Sequence, residues 1–569
     1  MDIIAIAVLF AVIATSWCYA NAMWHVADWK LPSSYIGPFR GPSKSDVLLH
    51  LSFIRAARDG HFVPLQSKIV PELGAPGVAS WNDWPITEEL PIFAMGILAR
   101  SVGIFAALNV SLLSCHLLAG LSFYCVARYR HVSISWSLAA AITFGLASYI
   151  FSQSPDHVLV AFCWHIPLMI VVWEGFFDGE TSKFGSRQFC FGVVVAVVTG
   201  LQMPYYTAIF SQLVLLGALI SFARTRDFHR LISGFSFLAA TGIAFGLMNL
   251  DTWLYEWRFG PNPNALVRPY QWLEVYGLKL VDLVTPPQNH HWQIFRNFAE
   301  WRIATQILHD EGSYLGIVGI AALLALCAVA IKALIANKLR EVPIGFWQVL
   351  WVFVFFTTGG LNAVFGLAGF RLLRAGCRFS IVILAIALLF SSHWLSKHCR
   401  GFFFAVFCPV LVVVIAIVDQ VPMRSSPGEK ETIARQISSD RKFVADMESA
   451  LPSGATVFQM PVMDFPEAPL QNLSAYDHLR PYLYADHLRF SFGDVRGRGQ
   501  SDWQKALLSR PWTEAINVIK QHGFSAIYIN QSAYSDQVPP ARDVLRELGY
   551  DKIIDSDNGD LICVILNPF

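Results

Sequence analysis

Charged side chains are scarce in this chain. Asp, Glu, Lys and Arg make up 15% of its 569 residues and hydrophobic residues 54%, a balance too apolar for an ordinary soluble multidomain protein, so most of the chain belongs in lipid. Net charge is almost absent as well. With 42 Lys and Arg against 41 Asp and Glu, the balance is +1, and no global field draws the protein to nucleic acid. The ten cysteines include no CxxC pair, and Cys18, Cys115, Cys125, Cys163, Cys190, Cys327 and Cys408 lie in apolar runs or at their edges. That placement argues against a disulfide framework or a zinc site and makes them small core residues. No basic residue precedes the first apolar run, 3–20, and its length of about 18 residues exceeds a signal-peptide core, so it reads as a retained span.

What the chain does have is a series of apolar stretches near the length that crosses a bilayer, about 20 residues. Spans are expected at 3–22, 105–127, 134–152, 158–177, 189–203, 205–223, 232–250, 313–331, 345–366, 379–395 and 401–418. Basic residues then fall in alternate short loops: Arg128 and Arg130; Lys183 and Arg187; Arg224, Arg226 and Arg230; Lys332, Lys338 and Arg340; Lys397 and Arg400. The positive-inside rule assigns that side, with the amino terminus, to the cytoplasm. The long segments 23–104 and 251–312, the short turn at 155–157 and everything after Val418 are therefore expected outside.

Within the first outer segment, 46–59 reads as an amphipathic helix lying along the interface, and a second is expected near 89–100. In the other long segment, Gly260, Pro261, Pro263, Pro286 and Pro287 break the chain around a helical piece at 270–283. Beyond Val421 the composition changes, charge becomes common, and strand-like runs at 456–462, 525–530 and 561–566 alternate with helical stretches at 430–451, 503–508, 512–522 and 540–548. The expected organisation is a membrane domain, 1–420, with a soluble α/β domain, 421–569, that contains no Gly-rich phosphate loop, GxSxG or HExxH.

A polar group at the membrane border is costly unless paired or hydrated, so acids beside the spans are the candidates for chemistry. Asp46 follows Gly41-Pro42-Ser43-Lys44-Ser45 at a helix start, where backbone N–H groups would hold it ionised; its plain alternative is an N-cap. Asp156 and His157 occupy a very short turn over the bilayer, where a turn-forming Asp is the plain reading. Glu88 follows Trp81-Asn82-Asp83-Trp84-Pro85, whose rings suit sugar stacking as well as interfacial anchoring. Arg371, Arg374 and Arg378 stand where the rule expects few basic residues, and guanidinium binds phosphate in a bidentate way; a salt bridge to Glu300, Glu311 or the terminal domain is the alternative. His290, His291 and His309 with Asp310 and Glu311 match no metal-ligand spacing, and His165 and Glu174 read as hydrogen-bonding groups lining the bundle.

A first span, a long outer segment with two helices and an acid near its start, a many-span bundle and a C-terminal domain together resemble the GT-C superfamily of membrane glycosyltransferases. The layout is most similar to bacterial YfhO-like membrane proteins. The resemblance rests on Lys44-Ser45-Asp46, the Trp- and Pro-rich stretch 80–91, Leu273-Glu274-Val275-Tyr276 with Val284-Thr285-Pro286, Gly312-Ser313-Tyr314-Leu315-Gly316, and the Arg-rich stretch 374–378. The family's acidic pair is missing, since Ser45 precedes Asp46.

The resemblance implies a bacterial inner-membrane enzyme that inverts a sugar while moving it from a polyprenyl-phosphate-linked donor to a glycan, lipid or protein of the cell envelope. It implies Asp46 as base, Arg374 and Arg378 (with Arg371) on the leaving phosphate, and Asp156 or Glu88 orienting the acceptor or sharing a Mg or Mn ion with Asp46. Trp81, Trp84 and Tyr276 would contact sugar or acceptor. A transporter of lipid-linked saccharide calls for internal repeats or charges deep within spans, and neither is evident. A non-catalytic assembly subunit fits the sparse motif content.

Overall fold

In lipid every backbone polar group has to be satisfied within the chain, which leaves the long apolar stretches little choice but helix. The structure is a computed structural model describing all residues except 36–45, 85, 154, 179–183, 306–311, 400, 469, 471, 500, 501, 508, 535–540 and 567–569. Among the described residues, eight helices are long and apolar enough to cross a membrane: Asp2–Asn21, Ile104–Tyr129, Ile134–Gln153, Pro204–Thr225, Phe228–Met248, Gly316–Ile335, Gly376–His398 and Phe403–Gln420. Three more, Ile166–Phe177, Arg187–Gly200 and Ile344–Phe356, are apolar but shorter. The chain is a multi-pass, mostly helical membrane protein with a small C-terminal sheet.

Three expected spans are interrupted, the one at 134–152 briefly, between Gly145 and Ser148. The stretch 158–177 holds only the short helix Val158–Ala161 before the chain turns through Cys163, Trp164 and His165 into Ile166–Asp178. Pro167 stands in the first turn of that second helix, the place where a missing N–H costs least. The stretch 345–366 stops at Phe356; Thr357 pairs with Leu278 in an isolated bridge and Gly359 takes φ +75° before a new helix, Leu361–Leu367. The expected helical piece 270–283 is likewise two short turns, Gln271–Val275 and Leu280–Leu283.

The helix Val47–Asp59 does not lie along an interface. Every residue from Val47 to Ala57 is buried, charged Arg55 included, because the C-terminal domain packs on the side opposite the bundle. Arg55 stacks over Tyr482, 4.3 Å from the ring centroid, and donates to Ala485 O. The helix also meets Glu89–Val102 closely: a β-carbon on Gly96 would fall 2.4 Å from Ala57 Cβ, so only glycine fits at the crossing.

After the hairpin β1 (Ile69–Val70) and β2 (Ala79–Ser80), the remaining strands form one sheet of the C-terminal domain: β3 (Thr456–Met460), β4 (Arg489–Phe490), β5 (Ala526–Asn530), β6 (Ile553–Asp555) and β7 (Leu561–Ile565). Their order is β4-β3-β5-β7-β6, parallel among the first three and antiparallel at β7 and β6. The hairpin extends this sheet past its edge, since Phe490 N–H donates to Glu72 O (2.8 Å) and Ala75 N–H to Phe490 O (2.9 Å). One apolar core runs across the junction, from Leu51, Phe53 and Leu108 to Phe443, Tyr476 and Tyr528. Arg498 adds a bidentate pair with buried Asp83, and Asn262 bonds the same carboxylate at 3.0 Å. The two long segments between spans and the C-terminal domain are thus packed together on one face of the bundle.

Candidate functional site

A cavity of about 290 Å³ opens where this cap meets the ends of the spans. Asp46, His50, Trp84, Glu88, His157, Tyr205, Arg268, Arg374, Arg378 and Glu467 all line it. Residues scattered from the first outer segment to the C-terminal domain therefore meet in one place.

Asp46 stands immediately before Val47–Asp59, but its side chain makes no capping hydrogen bond to that helix; it faces His157, whose Nε2 lies 3.6 Å from Oδ2. The expectation that backbone N–H groups keep it readily ionised is not met. Burial raises its carboxyl to about 6, Asp156 and Glu467 add to the rise, and the charges of His157 and Arg374 oppose it. One turn along the helix, His50 is buried with Nδ1 3.1 Å from Asp46 O, and burial lowers it to about 3, so it is neutral. Glu88 is buried and also raised by burial, against the bond from Thr87 Oγ1 (3.2 Å) and the charge of Arg378.

The arginines are fixed by a chain segment pinned from several sides. Asn362 Nδ2 donates to Leu373 O (2.7 Å), Ala375 N–H to Tyr205 Oη (3.1 Å) and Cys377 N–H to Tyr276 O (3.2 Å). Gly376 is required there: a β-carbon would lie 2.5 Å from Phe356 O. From this segment Arg374 lies over Trp272 (4.4 Å) and Tyr276 (5.5 Å), and Arg378 over Tyr205 (4.8 Å). Aromatic faces stabilise a guanidinium, and guanidinium is the side chain best suited to pair with phosphate.

The remaining expected residues separate by position. Asp156 does not line the cavity, although its charge reaches Asp46. Arg371 is exposed and outside it, its Nε 3.3 Å from Gly366 O, although Leu372 and Leu373 beside it border the cavity. Trp81 is a correction. Its ring is fully buried against Phe465 and its Nε1 donates to Gly493 O at 2.9 Å, so it joins the hairpin to the C-terminal domain and offers no face to a sugar. Trp84 does reach the cavity, and Tyr276 borders a neighbouring polar cavity of about 440 Å³ with Lys279, Asp282 and Ser313.

Among the described residues no three His, Cys, Asp or Glu side chains converge on one point. His309, Asp310 and Glu311 lie outside the described residues, as does 41–45. His290 instead meets buried Asp419 at 3.3 Å, and Glu174 pairs with Arg130. Sequence reasoning missed His50, Arg268 and Glu467. A His one helical turn after an expected base was a usable signal; the other two are brought in only by long-range packing.

No protein-family profile matches the chain, and no curated protein matches it. Solved structures similar to it include the oligosaccharyltransferase of Archaeoglobus fulgidus in complex with Zn and sulfate, with 11% identity, TM-score 0.42, and coverage of 91% of this chain and 68% of that one. ArnT from Cupriavidus metallidurans, bound to undecaprenyl phosphate, gives 12% identity and TM-score 0.42 over 99% of this chain and 97% of that one. The arabinofuranosyltransferase AftD from mycobacteria gives 14% and 0.44 over 93% of this chain and 37% of that one.

Proposed function

We propose that the protein is a membrane glycosyltransferase that moves a sugar from a polyprenyl-phosphate carrier to a hydroxyl of a cell-envelope acceptor on the face bearing the C-terminal domain. The single observation that carries this reading is the cavity itself, where carboxylates and aromatic-backed arginines face one another at the end of the spans. A lipid phosphate can reach such a place with its tail still in the bilayer.

In this reading Asp46 takes the proton of the acceptor hydroxyl as that oxygen attacks the anomeric carbon and the bond to the carrier phosphate breaks. Displacement in one step inverts the configuration, as in an inverting glycosidase with an alcohol in place of water. Arg374 and Arg378 stabilise the charge that develops on the departing phosphate. His157 holds the Asp46 carboxylate in place, Glu88 orients the acceptor, and Trp84 stacks against its ring.

The test is Asp46→Asn. It keeps the size of the side chain and removes no helix cap, so the protein should fold as the parent does while turnover falls about 10²-fold or more, the usual loss with a general base. Transfer at near the parent rate would strip Asp46 of the role.

A further inference from the structure

The C-terminal domain does more than cover the cavity. Glu467, on the loop after β3, is one of the residues lining it, and its carboxylate forms a bidentate pair with Arg268 of the second long segment, Nη2 to Oε1 at 2.9 Å. The loop is held rigidly just upstream. The ring of Phe465 packs on Trp81, Trp84, Tyr476 and Phe492, and its carbonyl accepts from Arg496 N–H at 2.8 Å. Glu467 itself takes φ +56°, a left-handed backbone that a residue with a β-carbon adopts against preference, and such strain gathers where a side chain must be aimed.

What lies beyond Arg268 gives the pair its meaning. The Arg268 guanidinium sits 5.6 Å from the centre of the Trp272 ring, and Arg374 sits 4.4 Å from the same ring. Two cations share one indole. Without a counter-charge they repel across a partly dry site, which pushes Arg374 away from its place over the ring. Glu467 supplies that counter-charge. Its carboxyl is held below the usual range because burial, which would raise it, is outweighed by the bonds and charge of Arg268 and by Arg374 and Arg496.

We propose that Glu467 is a positioning residue for the donor phosphate: by holding and neutralising Arg268 it keeps Arg374 seated over Trp272 and Tyr276, facing the cavity. The proposal rests on the reading that Arg374 binds that phosphate. It makes the soluble domain part of donor recognition, through one ion pair that spans the junction.

The experiment uses the full chain in nanodiscs with undecaprenyl phosphate as probe, and measures Kd together with the melting temperature. Glu467→Gln should weaken binding about tenfold, Glu467→Asp should recover part of the loss, and in an Arg268→Met background Glu467→Gln should change Kd little, because the effect passes through Arg268. A residue of merely structural importance would shift the melting temperature without this dependence on background. Binding by Glu467→Gln as tight as the parent or tighter overturns the proposal, since a simple negative charge near a phosphate would weaken binding in the parent. Arg374→Ala separates the two levels. If it loses binding while Glu467→Gln does not, only the positioning role falls; if Arg374→Ala binds like the parent, the phosphate reading falls and takes this proposal with it.

Discussion

Two clusters of arginine and carboxylate sit on the same side of this bundle, and they are built to different ends. In the C-terminal domain Arg480 donates to both oxygens of Asp440 and to Asp560 Oδ2 (2.8 Å), while Tyr35 Oη and Gln436 Nε2 bond Asp440 at 2.8 and 3.0 Å. Arg480 and Asp440 are 3% and 1% exposed, and neither borders the two cavities described above. In the cavity, by contrast, Arg374 and Arg378 are backed by aromatic rings, and Asp46 faces a histidine 3.6 Å away. The contrast teaches that burial and charge alone do not mark a site. Open space beside charged groups does, and the cavity has that space next to Asp46, Arg374 and the Arg268–Glu467 pair.

The comparison breaks most visibly at Arg480. Arg480→Met leaves buried Asp440 and half-buried Asp560 without their cation, a loss of about 3–5 kcal/mol when one partner of a buried pair is removed. Against a total stability of about 5–15 kcal/mol, that is a large share, seen as a large drop in melting temperature. Arg378→Ala should show instead in binding, weakening that of undecaprenyl phosphate about tenfold or more. A stable Arg480→Met protein, or an unfolded Arg378→Ala one, would erase the distinction between the clusters.

Next in size is the effect of pH on Asp46. A base whose carboxyl sits near 6 is ionised only above that value, so kcat/KM should rise about tenfold per pH unit up to about 6 and level off near 7. An Asp at its ordinary value would already be flat by pH 5. The linked stability runs the other way. Because the folded state holds the proton more tightly than the unfolded chain, this group's contribution is full below about 4 and is lost as pH rises through about 6. Asp46→Asn should therefore melt no lower than the parent above pH 6, and a parent profile flat from pH 5 to 8 would show that Asp46 is not the titrating base.

Much of this was legible in the sequence, for reasons that particular residues make plain. Long apolar runs have only one way to satisfy their backbone in lipid, so all eleven stretches became apolar helices, broken at 146–147, 162–165 and 357–360, the last at Gly359 and Gly360. The strand at Thr456–Met460 and the helix at Trp512–Gln521 follow period and burial as expected. Asp46, His157, Glu88, Arg374 and Arg378, which the fold brings to one cavity, stood out in the sequence because polar groups at a membrane border contrast with an apolar background. The helix Val47–Asp59 was misread since Arg55 and Arg58 look like a wet face; only the packed structure shows Tyr482 beneath Arg55. Glu467 was invisible because its partner Arg268 is distant in the chain, and in a charged soluble domain an isolated acid carries no local signal.

The smallest effect sharpens the comparison within a single motif, between Trp81 and Trp84. Both rings touch Phe53 and Phe465, at centroid distances of 5.2 and 6.0 Å for Trp81 and 5.9 and 5.7 Å for Trp84, yet only Trp84 borders the cavity. Trp81→Phe keeps the apolar bulk but leaves Gly493 O without its donor inside the core, which costs about 1–3 kcal/mol and should lower the melting temperature with KM unchanged. Trp84→Leu keeps an apolar wall and removes the flat ring, so stability should change little while KM for the acceptor rises a few-fold, about the worth of one aromatic contact. Steady-state kinetics beside thermal melts of the two variants decide it. If Trp81→Phe moves KM and Trp84→Leu moves only the melting temperature, the ring that meets the sugar is the buried one, and the cavity drawn here is not where the acceptor sits.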